Sequence, residues 1–313
     1  MNGQFFEGVL SNSVAAGTPL VIAGIGELVA ESSGVLNLSI EGIFLISAMT
    51  AFAAANLTMS FGLGLLAGIA SGIAMGLVFA VLTVSIRADQ IVTGLAMVIL
   101  GDGASRFFGA RFVGRKLETA AETMHLYGLS DIPVVGPILF NHHWLIYCSY
   151  ILVPLVWYFL YHTTYGLAVR AAGEKPSTAE VAGHNVTLIR YAAVIFGAAM
   201  AGVAGAFLSL VYLRTWEDGM TAGRGWVALA VVILAGWRPL RVLVGGYLFG
   251  FAYIVAFQAQ VIGGAFQSIS TYLLQMFPYL LAVIVLGATS RRAGRSMNAP
   301  AALTLPYVRE ERL

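Results

Sequence analysis

Long apolar runs separated by short polar breaks dominate the chain from end to end. A helix needs about 20 predominantly apolar residues to cross a bilayer. On that measure the pattern predicts nine crossings, over 10–30, 35–56, 61–86, 90–109, 143–162, 190–213, 225–237, 240–262 and 271–289. The seventh, GWVALAVVILAGW, is short and flanked by glycine, which predicts a tilted or re-entrant segment. The second opens with SGVLNLSIEG, too polar and glycine-rich to face lipid. Irregular backbone at membrane depth survives only where protein or a water-filled cavity covers it. The predicted fold is an all-α polytopic membrane protein, one transmembrane domain over residues 1–313.

Three polar stretches interrupt the pattern, at 110–142, 163–190 and 290–313. The middle one contains YGLAVRAAGEKPSTAEVAGHNV, residues 165–186, far longer than a simple connection requires. Ser177 and Glu180 form an S-x-x-E pattern, which predicts a capping box that starts a short helix. Gly183 supplies a left-handed stop, and Asn185 favours the turn that follows. Before them, LAVRAAGE predicts another short helix, ended by Gly173. Helices this short are marginal alone in water. They require a surface to pack on, either this chain's own helix ends or a partner.

Composition agrees with the pattern. The 313 residues are 59% hydrophobic and 10% charged, against about 25% charged in soluble domains, and mean hydropathy is +0.85. The net charge of +2 says little about partners, and with no basic tract or aromatic-interleaved patch no nucleic-acid partner is expected. The single cysteine, Cys148, is expected to be a buried, inert thiol. The N-terminus lacks the positive region of a cleaved signal, so the first apolar run is expected to remain as a span.

Basic residues orient the chain. With the N-terminus outside, eleven of the 17 Lys and Arg residues fall in the cytoplasm, among them Arg87, Arg170, Lys175, Arg190, Arg238, Arg241 and the RRAGR cluster. The six outside are Arg106, Arg111, Arg115, Lys116, Arg214 and Arg224. The 163–190 loop and the 290–313 tail are thereby expected in the cytoplasm, and the 110–142 loop outside.

Within the third run, Gly64, Gly68, Gly72 and Gly76 recur every four residues and stack on one helix face. Such a face lets another backbone approach closely, within this chain or on a second membrane subunit. Ionisable groups inside spans are costly and face one another or a cavity. Asp102 and Arg106 are four apart, which suits an intrahelical pair. Glu27 and Glu31, also four apart, are expected near the cytoplasmic end of the first span, solvated. Glu41, with Asn37 just before it, is either a buried carboxyl bonded to amides of its irregular segment or a polar lining of a substrate path.

Catalytic and metal-binding patterns are missing. The five histidines have no metal-site spacing. The nearest approach to a phosphate loop, GARFVGRKL at 109–117, has Arg where Lys is required and no following Ser or Thr. The chain is therefore expected to bind no cofactor and to hydrolyse no ATP itself.

GLAVRAAGEKPSTAEVAGHNV resembles the cytoplasmic coupling segment of bacterial ABC importer permeases of the branched-chain amino acid, ribose and nucleoside superfamily. ELVAESSGVLNLSIEGIFLISA resembles the same family's N-terminal signature, and GRGWVALAVVILAGWRPL a third family block. The pattern is closest to the simple-sugar and nucleoside branch. The resemblance implies a multi-pass permease of the plasma (inner) membrane, paired with a second, homologous or identical permease. It also implies a cytoplasmic ABC ATPase, which consumes the ATP, and an extracytoplasmic binding protein that delivers the substrate. Carried over by position, Gly166, Arg170, Gly173, Glu174, Ala179, Ala182 and Gly183 form the coupling element, while Asn37, Glu41 and Gly42 belong to the translocation path. The implied function is ATP-driven import of a nucleoside or simple sugar by alternating access. A branched-chain amino acid permease, an ion-driven transporter with broken helices and a non-transporting membrane subunit are the alternatives.

Overall fold

The computed structural model describes residues 3–118, 122–262, 271–292 and 299–307. Twelve helices account for most of them: α1 Gly3–Ser32, α2 Ile40–Thr58, α3 Phe61–Ala80, α4 Gln90–Gly109, α5 Val135–Leu139, α6 Trp144–His162, α7 Thr164–Glu174, α8 Pro176–Val181, α9 Val186–Phe207, α10 Arg224–Ala235, α11 Pro239–Ile262 and α12 Thr271–Arg292. Single π-helical turns extend α3 through Ser85 and α9 through Tyr212. A two-stranded pair, β1 Met124–His125 and β2 Asn141–His142, lies in the 110–142 loop.

Among the described residues, seven helices are long and apolar enough to cross a membrane: α1, α2, α3, α4, α6, α9 and α11. The other two runs of the nine are also helical. One is α10, only 12 residues long, and the other is α12, with 22. The sequence reading of a short seventh segment therefore describes α10 well.

Helix α1 is the hub, almost wholly buried, with α9, α10 and α11 packed around it. Lipid tails are as apolar as leucine, so close van der Waals packing must hold such helices together. Small residues make it possible. At the α1–α9 crossing, a Cβ added to Gly26 would meet the Gly197 carbonyl at 2.9 Å. At the α2–α4 crossing, one on Gly42 would meet the Met97 carbonyl at 2.6 Å. The stripe on α3 is buried against α2 and α9, with Gly72 facing the Ala198 carbonyl and Gly202. It packs within the chain.

Outward faces of α3, α4 and α6 carry exposed Leu, Ile, Val and Phe side chains, as lipid contact demands. Cys148 also faces outward on α6. The expected burial of its thiol is incorrect, because hydropathy reports an apolar environment without separating lipid from protein. At the start of α6, His143 Nδ1 accepts from the Leu145 amide at 3.3 Å.

Candidate functional site: a buried carboxylate node and a helical hairpin

Between α1 and α2 the chain does not stay at the helix ends. The Asn37 amide donates to Glu27 Oε1 at 2.9 Å, so residues 33–39 climb back along α1. Helix α2 therefore starts inside the bundle. Its Gly42 packs on Met97 and Val98, roughly 10 Å into α4 at 1.5 Å per residue. The irregular start expected of the second span is present, and it lies under protein cover.

Glu41, in the first turn of α2, is the centre of this region and is buried. Its Oε1 accepts from Thr221 Oγ1 at 2.5 Å and from the Gly223 amide at 3.0 Å. Its Oε2 accepts from the Gly225 amide at 2.6 Å. These donors belong to the N-terminal end of α10, where helical amides have no intrahelical partner and the dipole favours a negative group. The carboxylate thus caps the buried start of a short, 12-residue helix. A Cβ on Gly225 would stand 2.6 Å from Glu41 Oε2, so only glycine admits the carboxylate this closely. The amides expected from the segment around Glu41 itself are replaced by those of a loop 180 residues away.

A cavity of about 310 Å³ borders this node, lined by Glu41, Leu45, Val98, Asp102, Gly219 and Thr221 among others. Asp102 makes the expected pair with Arg106, both Asp oxygens 2.9 Å from Arg106 Nε. Of the three path residues read from sequence, Glu41 reaches the cavity. Asn37 is buried, its Oδ1 accepting from the Ser39 amide at 3.1 Å. Gly42 sits at the α2–α4 crossing.

Glu27 and Glu31 are not solvated. Both are buried, Glu27 holding the Asn37 amide and Glu31 Oε2 accepting from Trp237 Nε1. Their place near a helix end suggested water, but the 33–39 segment and the α10–α11 turn cover that end.

The 163–190 segment is the second candidate site. Thr163 Oγ1 accepts from the Gly166 amide at 3.0 Å and caps α7. Gly166 is packed on the Phe159 carbonyl and on Leu160 Cα. Arg170 Nε donates to the Leu160 carbonyl at 3.0 Å, and its guanidinium lies 4.8 Å from the Tyr161 ring centre. Gly173 does not end the helix as expected. It lies within α7, pressed on the Ser32 carbonyl where no Cβ would fit.

The capping box is not formed either. Pro176 occupies the first turn of α8, starting the helix before Ser177, and Glu180 accepts from the Tyr307 hydroxyl. Gly183, at φ +89°, is the left-handed stop expected. Asn185 Oδ1 then caps α9 by accepting from the Leu188 amide at 3.0 Å.

Residues 299–307 hold this hairpin from behind. The Ala302 amide donates to the Gly173 carbonyl at 2.8 Å, and Glu174 Oε2 accepts from the Ala301 amide at 3.4 Å. Arg190 Nη1 donates to the Leu305 carbonyl at 3.0 Å. Of the seven residues expected to form a coupling element, Gly166, Gly173 and Ala179 are buried in the chain's own packing and Arg170 is half-buried. Glu174, Ala182 and Gly183 remain exposed, beside Val181 at 89% exposure.

Sequence reasoning missed Thr221 and Tyr307, and it placed Gly223, Gly225 and Trp237 in the third family block without giving them a role. The glycine spacing at 219, 223 and 225 was the available signal for Thr221, Gly223 and Gly225. Among the described residues no cluster of three or more His, Cys, Asp or Glu could hold a metal ion.

A match to the branched-chain amino acid transport system permease component covers residues 9–286. The chain belongs to that permease family. It is therefore a multi-pass membrane permease. It is 37% identical to a Haloferax volcanii protein named "Putative glucose ABC transporter permease protein", over 98% of this chain and 99% of that one. It is 30% identical to the guanosine ABC transporter permease protein of Bacillus subtilis, over 99% of each. Identity to the nucleoside ABC transporter permease protein of Lactococcus lactis subsp. cremoris is 31%, over 89% of this chain and 90% of that one. No solved structure matches the chain. The resemblance read from three sequence blocks is borne out, and these relatives are named for a sugar and for nucleosides.

Proposed function

We propose that this permease is the transmembrane subunit of an ATP-driven importer that moves a nucleoside or simple sugar inward by alternating access. It is not itself an enzyme: a separate cytoplasmic ABC ATPase hydrolyses ATP and docks on the α7–α8 hairpin. A second permease, homologous or identical, completes the membrane unit, and an extracytoplasmic binding protein delivers the solute. The N-terminus lies outside and the C-terminus in the cytoplasm, with α10 entering as a half-length segment and α12 as the last crossing.

The observation that carries this reading is the construction of the hairpin. Its inner face is buried against α1, α6, α9 and residues 299–307, while Val181, Ala182 and Gly183 project outward. A force applied to so firmly backed a tip passes directly to α1 and α9. Val181, followed by the small Ala182 and Gly183, gives the tip a low profile that suits a shallow protein groove. The hairpin is unexplained by an ion-driven mechanism. For the solute, the cavity beside Glu41 offers two carboxylates and a hydroxyl, which suit sugar hydroxyl groups, and it falls at the small end of ligand-site volumes.

The test is retention of the ATPase by tagged permease purified from its own membranes. Val181→Asp combined with Ala182→Arg is expected to lose the ATPase while melting like the wild type, because both positions are exposed. Undiminished retention would overturn the docking assignment.

A further inference from the structure

A cavity of about 680 Å³ lies behind the hairpin, between the end of α6, the α10–α11 turn and α7, and shares Arg170 and Glu174 with it. Arg170, Arg238 and Arg241 all line it. Among the described residues none of the three makes a salt bridge, the ion pair found there being Arg106 with Asp102. Glu174 also lines the cleft and is engaged with the Ala301 amide. Three guanidinium groups against one carboxylate leave the cleft cationic. Arg238 and Arg241 carry planar, forked donors of the geometry that binds phosphate oxygens, and Arg170, its Nε held by the Leu160 carbonyl, adds its terminal nitrogens.

Two further features say where the phosphate comes from. Trp157 and Tyr161, partly exposed in the last turns of α6, line the same cleft. Such aromatics sit at the headgroup level of a bilayer. Leu240, another lining residue, begins an outward apolar stripe on α11 that continues through Val244, Leu248 and Phe251. A cationic pocket at the end of the spans therefore opens onto a path for an acyl chain.

We propose that this cleft binds the phosphate headgroup of an anionic phospholipid, with an acyl chain lying along the α11 stripe. Basic pockets between helices at a membrane face recognise lipid headgroups in this way. Because Arg170 belongs to α7, an occupied cleft braces the hairpin, whichever solute the permease carries.

The test is thermal melting of the full-length permease in neutral detergent, titrated with phosphatidylglycerol, phosphatidylcholine or inorganic phosphate. Phosphatidylglycerol is expected to raise the melting temperature, and the other two to leave it unchanged. In Arg238→Gln/Arg241→Gln the half-saturating concentration should rise about 25-fold, roughly fivefold per arginine. Arg115→Gln, in the 110–142 loop, should respond like the wild type and so exclude general charge attraction. An equal response of the double variant, or no response of the wild type, overturns the site. A shift produced by inorganic phosphate alone overturns the lipid as its occupant.

Discussion

Replacing Glu41 by Gln preserves the size of the side chain but exchanges one acceptor oxygen for an NH2 group. Thr221 Oγ1 and the Gly223 and Gly225 amides all donate to this carboxylate, so one of the two ends then presents donor to donor. A buried polar group left unpaired costs about 1–3 kcal/mol. Glu41→Gln is therefore expected to insert normally, melt lower than wild type and take up solute more slowly. A wild-type melting temperature would show that the carboxylate does not cap α10. At this scale the sequence pointed to the right residue and not to its partners. A polar residue in an apolar run marks a buried need, but its donors lie 180 residues away, and nothing in the spacing around Glu41 points to them. Glu27, Glu31 and Cys148 teach the same lesson, since position in a run does not say what covers the side chain.

Helix–helix contacts were more legible. The four-residue glycine repeat on α3 predicts a face for close approach by periodicity alone, and that face is buried against α2 and α9. Gly72→Ala would place a Cβ 2.6 Å from the Ala198 carbonyl. Overpacking of this kind typically costs about 1–3 kcal/mol. Gly62→Ala, on the same helix with nothing within 4 Å, is expected to be neutral. Equal melting of the two variants would remove the stripe from the packing account. Local signals in the hairpin failed where tertiary contact competed with them. Gly173 reads as a helix stop, yet its missing Cβ serves contact with Ser32 within the helix. The S-x-x-E box reads as a cap, yet Pro176 starts the helix earlier and Tyr307 takes Glu180.

For the molecule as a whole, residues 299–307 tie the hairpin to α9 through Gly173, Glu174, Glu180 and Arg190. Deleting residues 299–313 is expected to speed amide exchange in α7 and α8 and to weaken ATPase retention, leaving α1–α4 protected. Unchanged exchange in the hairpin would show that these contacts do not brace it. Hydropathy alone determined that the chain lives in lipid, that its elements are helices, where most of the helices begin and end, and that the seventh is short. Those properties follow from local chemistry repeated over 20 residues. Tertiary structure alone decided that residues 33–39 fold back beside α1, that Glu41 meets the start of α10, and that the tail locks the hairpin. Each is a contact between distant segments, formed because buried amides and carboxylates must find one another where no water can serve them.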